Sequence, residues 1–414
     1  MRPRSGRSTV TDGVRAAYLR PMSPGPSRAV LHVAHHALPH IGGLETVVAA
    51  ETRELAARGW GVSLLTSAYS TSPPDETDAG PGVRVQEGVR TVRLRSWNGL
   101  ESRFAVPFPV FTPWLLVAMA REVRRAGLVH VHDPLYLSSW AAALWCLLLR
   151  RPYVVHRHVG FVHHSSWLVR LVQRVVLGSV ARVVLNRASA IVAIDERIAA
   201  EVRGGVRDPG RVHVLGNGVD TTLFQPSSED DRLATRRRLG LPEDRPLVLF
   251  VGRFVPKKGF AVVAAAASDD YDVVFVGGDR PAAVTDPRLH FLGGLPASEM
   301  PAVYGCADIM VVASVGECPL TVIEAMSVGL PVVLNDDPAL HTDWTSGPGV
   351  RFVDMAGGGL PAALSELAGD LPLAREVGAD GLAHVRSRFS WQAHVDRLEQ
   401  VYDDVSAGSP PASR

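Results

Sequence analysis

The stretch AVLHVAHHALPHIGGLETVVAAETRELAARGWGVSLLTS (29–67) decides the fold. Its first eight residues form a short apolar run of the kind needed by a strand buried on both faces. Gly42-Gly43 marks a turn, Glu45 to Arg58 carries apolar residues at helical spacing, and GVSLLTS (61–67) is a second buried run. Strand, glycine turn, helix, strand is the βαβ signature of a parallel sheet.

The same rhythm extends in both directions. LVHVH (128–132), YVVHRH (153–158), a long helix from about Ser166 to Asn186, AIVAID (190–195) and VHVLG (212–216) complete a first set. FQPSSEDDR (224–232), polar and acidic with a proline, reads as a linker. The pattern restarts with PLVLFVGR (246–253), the helical GFAVVAAAA (259–267), DVVFVGG (272–278), LHFLG (289–293), DIMVVAS (308–314), a helix near 319–328 and PVVLN (331–335). It ends in an amphipathic helix from Trp391 to Val405. The expected architecture is α/β: two doubly wound, Rossmann-like domains, 29–222 and 223–388, flanked by a basic tail (1–28) and by a last helix with its tail (389–414).

The 414 residues balance 43 Lys+Arg against 42 Asp+Glu, but the balance is a cancellation: residues 1–222 carry +11 and residues 223–414 carry −10. A 46% hydrophobic, 21% charged composition excludes a disordered chain. Cys146, Cys306 and Cys318 are too few and too scattered for a disulfide framework or a zinc site, which points to a reducing compartment. The longest apolar stretch, Pro134 to Leu149, falls short of the roughly 20 residues of a membrane span, and the Arg-rich tail has no apolar segment of a secretory signal. A cytoplasmic protein is expected. The only lysines, Lys257 and Lys258, are neighbours.

In open parallel sheets, ligands sit beyond the carboxyl ends of the strands. Gly42-Gly43-Leu-Glu45 follows the first strand, where glycines admit a phosphate to a helix start. Val251-Gly-Arg253-Phe-Val-Pro-Lys257-Lys258-Gly259 concentrates positive charge at a strand end of the acidic half; a guanidinium fork plus an ammonium suits a diphosphate. In Glu317-Cys-Pro319-Leu320-Thr-Val-Ile-Glu324-Ala-Met-Ser-Val-Gly329-Leu-Pro331, Pro319 fits the first helical position and Gly329 the position just past the last. Glu317 and Glu324 are suited to accepting hydrogen bonds from sugar hydroxyls. His158, after a strand, suits an acceptor hydroxyl. Taken singly, each has a plain structural account: a loop turn, a solvated basic loop, a charge at a helix start, a core histidine.

Two further patterns stand out. VHVHD (129–133) points His130 and His132 to one face of a strand, yet the sequence shows no partner ligands and no metal is expected. Arg150 to Arg187 holds seven Arg and no acid, with Arg170, Arg174 and Arg182 on one arc of a helix (166–187) that could cover the core or dock on an anionic membrane. Nucleic acid is not an expected partner.

GGLE (42–45), HVGF (158–161), NGVD (217–220) with FQP, VGRxxxxKG (251–259) and EAMSVGLPVV (324–333) together resemble glycosyltransferase family 4 over about residues 29–405. The resemblance implies the GT-B fold, two Rossmann-like domains facing across a cleft, and a retaining, metal-independent transfer of a hexose from a UDP- or GDP-sugar to a hydroxyl acceptor: a lipid-linked sugar, a polysaccharide or a natural product. The nucleotide sugar is a substrate; no cofactor is implied. Residue by residue, it implies that Arg253 and Lys258 neutralise the diphosphate, Gly42 and Gly43 lie against it, Glu324 binds the ribose, and His158 sits beside the transferred sugar. Pro319 and Leu320 start the donor-site helix, and the loops ending in Gly277 and Gly293 hold the base. The family commonly has a glutamate where this chain has Gly316, so Glu317 is the acid expected at the sugar. That departure leaves a catalytically silent nucleotide-sugar-binding subunit as the alternative, with a same-fold nucleotide-sugar 2-epimerase behind it.

Overall fold

The computed structural model describes residues 28–40, 42–68, 80–97, 99, 108–160, 167–316 and 318–408. The chain divides into two compact units, residues 1–215 with 395–414, and residues 216–394. The divisions differ by seven and six residues from the 222/223 and 388/389 boundaries expected from the sequence. The cause is a local tie: Val219 donates to the Phe389 carbonyl at 2.8 Å and Trp391 donates to the Val219 carbonyl at 3.2 Å, which groups residues 216–219 with 389–391.

In the first unit, β1 (Ala29–Val33), β2 (Gly61–Ser67), β3 (Gly82–Gln86) and β4 (Val89–Leu94) precede a small pair, β5 (Ser96–Trp97) and β6 (Val110–Phe111). Then come β7 (Leu128–His132), β8 (Tyr153–Arg157), β9 (Ala190–Ala193) and β10 (Val212–Val214). The main sheet runs β10-β9-β8-β7-β1-β2-β4-β3, parallel except for the β3–β4 hairpin. Alternation sorts its side chains: Leu31, Val33, Val129, Val131 and Val155 enter one core layer, while Val30, Leu128 and Val154 enter the other. The second layer is closed by the Gly43–Ala57 helix and by Val395, Leu398, Val401 and Tyr402 of the Trp391–Ala407 helix. Arg58 fastens that closing helix through Asp396 (2.6 Å) and Glu399 (2.7 Å).

In the second unit, β11 (Leu247–Val251), β12 (Asp272–Val276), β13 (Leu289–Phe291), β14 (Ile309–Val312), β15 (Val332–Asn335) and β16 (Val350–Val353) form an all-parallel sheet of order β13-β12-β11-β14-β15-β16. Apolar layers cover both faces, as parallel sheets require.

Two sequence expectations are corrected. FQPSSEDDR is not a plain linker, because Ser228 caps a helix, Glu229–Leu239, by accepting from the Asp231 amide, and the acids occupy its first turn. Arg236 of that helix is buried and bonds Asp308 at 2.7 Å and the Cys306 carbonyl at 2.8 Å. The long basic helix is two helices, Trp167–Gly178 and Val180–Arg187, interrupted at Ser179, whose φ/ψ of −119/−96 leave helical space. Its arginine arc therefore does not run unbroken, and Ser166 lies outside the described residues. No helix among them is long and apolar enough to cross a membrane.

The Thr321–Ser327 helix ends in a Schellman cap: Leu330 donates to the Ala325 carbonyl at 3.0 Å and Gly329, at φ +84°, to the Met326 carbonyl at 3.1 Å. Gly378, in the Leu371–Arg388 helix, packs so closely on this cap that a Cβ there would stand 2.0 Å from the Gly329 carbonyl oxygen. Gly378→Ala is therefore expected to cost about 1–3 kcal/mol or more in urea unfolding, as overpacking does. An unchanged midpoint would show that the two helices are not in this contact.

Candidate functional site

Both sheets reverse strand order at one point, β1/β7 in the first unit and β11/β14 in the second. Helices on either side diverge there, and ligands of doubly wound folds bind beyond the strand ends at that point.

In the second unit, the β11 loop carries Arg253, Lys257 and Lys258, and the β14 loop leads to the Thr321–Ser327 helix. The two loops are joined where Val315 donates to the Lys257 carbonyl at 2.9 Å. The β11 loop folds back as a Pro256–Lys258 turn, with Lys258 donating to the Val255 carbonyl at 2.9 Å and Val255 to that of Arg253 at 2.8 Å. Arg253 is exposed and Lys258 half-buried, its Cγ lying 3.7 Å from where Gly252 would carry a Cβ. Gly277 sits against Gly252 backbone to backbone, and a Cβ there would meet the Gly252 carbonyl oxygen at 2.6 Å. Its amide donates to the Gly293 carbonyl at 2.8 Å. The loops after β11, β12 and β13 thus form one glycine-lined rim beside the basic turn.

Glu324 lies on the Thr321–Ser327 helix and is half-buried rather than a surface residue. The Tyr304 hydroxyl, on the Met300–Gly305 helix, donates to Glu324 Oε2 at 2.7 Å. The sequence reading missed Tyr304, since nothing in the motif links the two helices. Burial pushes the Glu324 carboxyl above its ordinary range, and the Tyr304 hydrogen bond pulls it partly back. Pro319 is not the first helical residue: Leu320 is the N-cap, and the Pro319 carbonyl accepts from Val322 in a tight leading turn. Glu317 lies outside the described residues.

In the first unit, Gly42 is the extended N-cap of the Gly43–Ala57 helix, and a Cβ on it would meet the Glu45 carboxylate at 2.3 Å. Glu45 is turned instead to His40, 2.7 Å away. Gly43 faces open space. His158 is 8% exposed, with Nε2 2.9 Å from His132 Nδ1. Its amide donates to Asp133 Oδ1 at 3.3 Å. Asp133 itself is buried with φ at +58°, a strained backbone of the kind found at functional sites. Burial lifts its carboxyl to about 6 against the pull of Arg157.

His130 and His132, which lacked partners in the sequence, gain them in the fold. His32, Glu51, His130 and His132 bring ligand-type atoms within 4.8 Å of one another, as do His132, His156 and His158. Desolvation lowers the pKa of His32 to about 4 and that of His132 well below its ordinary value, so both rings are neutral near pH 7.

The raised Glu324 carboxyl gives a signed prediction. A raised carboxyl pKa stabilises the fold below its unfolded value, and that contribution is lost as pH rises through the folded pKa. Glu324→Gln is expected to unfold at a higher temperature than the parent at pH 7, the difference vanishing below about pH 4.5, the ordinary glutamate value. Parallel pH profiles for the two proteins would show the carboxyl to be solvated.

Residues 41–223 match Glycosyltransferase Family 4 and residues 231–341 match Glycosyl transferases group 1. The D-inositol 3-phosphate glycosyltransferase of Nocardia farcinica is 30% identical over 399 residues, spanning 87% of this chain and 84% of its own. That of Corynebacterium glutamicum is 28% identical over 405 residues, spanning 88% and 92%. Among solved structures, Anabaena HepE in complex with UDP and glucose superposes with a TM-score of 0.71 at 16% identity, over 91% of this chain and 100% of that one, a likeness of fold. The fold is GT-B, and the chain belongs to glycosyltransferase family 4.

Proposed function

We propose that this glycosyltransferase takes a hexose from a UDP- or GDP-sugar and transfers it with retention to a hydroxyl of a sugar-type or lipid-linked acceptor. The observation that carries the donor half is the switch point of the second sheet, where the β11 loop of Arg253 and Lys258 is bonded through Val315 to the β14 loop that leads to the helix of Glu324. The complex of HepE with UDP and glucose, a protein of the same fold, supports a nucleotide-sugar donor.

In this reading Arg253 and Lys258 neutralise the diphosphate without a metal, and preorganised positive charge at the leaving group is the main catalytic contribution. Tyr304 occupies Glu324 Oε2, so Oε1 serves the ribose hydroxyls. The Gly277 and Gly293 loops hold the base, and Pro319 and Leu320 line the helix start. Glu317 serves the transferred sugar. The first unit contributes Gly42-Gly43, where Gly43 faces open space and Gly42 lies beside the Glu45 carboxylate, and His158, assigned to the transferred sugar. With no covalent nucleophile, the departing diphosphate helps to deprotonate the acceptor hydroxyl on the same face of the sugar.

The acceptor half rests on the first unit. Trp167 (66% exposed), Val175 (59%) and Val183 (58%) stand exposed on the two helices that also carry Arg170, Arg174 and Arg182. Apolar and basic side chains together suit the surface of an anionic membrane, and hence a lipid-linked acceptor. The alternative, a silent nucleotide-sugar binder, is favoured by Gly316, whose φ of +78° disfavours a glutamate at that position.

A panel of nucleotide sugars decides between transfer and silent binding: turnover of a UDP- or GDP-hexose is expected, whereas UDP or GDP binding without turnover would overturn the enzyme reading. Lys258→Ala and Glu324→Ala should each lower transfer about 100-fold or more with the far-UV spectrum unchanged. Near-normal turnover in either would misplace the donor site. Sedimentation with anionic liposomes should show binding that weakens with salt; none would remove the membrane from the acceptor reading.

A further inference from the structure

His32 on β1, His130 and His132 on β7, His156 on β8, and His158 just beyond lie in one layer of the first sheet, the layer that Val30, Leu128 and Val154 share. Glu51, from the Gly43–Ala57 helix, meets them there. His32, Glu51, His130, His132 and His156 are fully buried. Ionisable side chains in an apolar layer carry a desolvation cost that must be offset by specific partners.

The geometry of three of them identifies the partner. His32 Nδ1 is 3.0 Å from His132 Nε2, and Glu51 Oε2 is 3.8 Å from each of those nitrogens. The nearest point equidistant from these three atoms lies in their plane, about 2.1 Å from each, the length of a zinc–nitrogen or zinc–oxygen bond. His130 brings a fourth ligand-type atom within 4.8 Å of the others. Hydrogen bonding between neutral imidazoles accounts for the 3.0 Å contact alone. Glu51 Oε1 is 3.3 Å from His156 Nδ1, which places the carboxylate, and Oε2 then stands 3.8 Å from both rings, too long for a hydrogen bond but close to the roughly 3.4 Å edge of a tetrahedral zinc shell. The donor set is rich in nitrogen with one carboxylate, which selects zinc over magnesium or calcium and their all-oxygen shells.

We propose that His32, His132 and Glu51, with His130 completing the shell, form a buried structural zinc site inside the first unit. The proposed ligands include none of the residues assigned to the diphosphate, so the proposal stands whether or not the donor assignment does. It also reaches the chemistry indirectly. With Nε2 on the metal, His132 holds its proton on Nδ1 and donates it to His158 Nε2, 2.9 Å away, which fixes the tautomer of His158.

The test is metal content. Untagged full-length protein from zinc-supplemented culture, desalted, is expected to carry about one equivalent of zinc by mass spectrometry. Cobalt-supplemented culture should give the visible absorption of a tetrahedral cobalt site. His132→Gln and Glu51→Gln, folded by far-UV dichroism, should each retain less than about a fifth of the parent's zinc. Should either fail to fold, the parent unfolded in urea and refolded with one equivalent of zinc chloride should melt at a higher temperature than when refolded with chelator. A parent that holds no stoichiometric zinc and refolds identically in both buffers overturns the proposal. So does undiminished zinc in both folded variants, which would place the ion on other histidines such as His35, His36 and His40.

Discussion

Parallel strand pairing is the constraint from which the rest follows. In the second unit every strand runs the same way, so every loop that leaves a strand at its carboxyl end emerges on one edge. The chain needs no long-range device to gather Arg253, Lys258, Gly277, Gly293 and Glu324; strand polarity delivers their loops to a common rim. What the sequence must then supply is room and charge. Gly252 and Gly277 supply the room by meeting backbone to backbone, and the basic turn supplies the charge.

The same pairing explains which parts of the fold were legible. A parallel strand is buried on both faces, so it is written as an uninterrupted apolar run, and AVLHV, LVHVH, YVVHR, LVLFV and DVVFV were readable for that reason. The β3–β4 hairpin was not, because its arginines interrupt the run and its turn depends on Glu87 and Gly88 both adopting positive φ. The capped end of the Thr321–Ser327 helix was readable from Gly329 and Pro331, since the cap chemistry is local. Its start was displaced because a proline carbonyl can close a leading turn as well as a proline can begin a helix.

Side-chain constellations were less legible than elements. Arg253 and Lys258 lie on one loop, so their association is written in adjacent residues. Tyr304 and Glu324 meet only because the helices on either side of β14 pack together. The histidines are the extreme case: His130 and His132 share a face by alternation alone, but His32, Glu51 and His156 join them only once β1, β7 and β8 are known to be neighbours. Composition hinted at neither arrangement.

The confinement of lysine to residues 257 and 258 has a practical consequence. Lys257 is exposed, Lys258 is half-buried, and every other basic side chain is an arginine, which keeps its proton near neutrality, or a histidine. An amine-selective acylating reagent therefore meets side-chain amines on a single loop of this protein. The extent of labelling at that loop, separated from acylation of the α-amino group by peptide mapping, becomes a direct chemical report on it without any engineered probe.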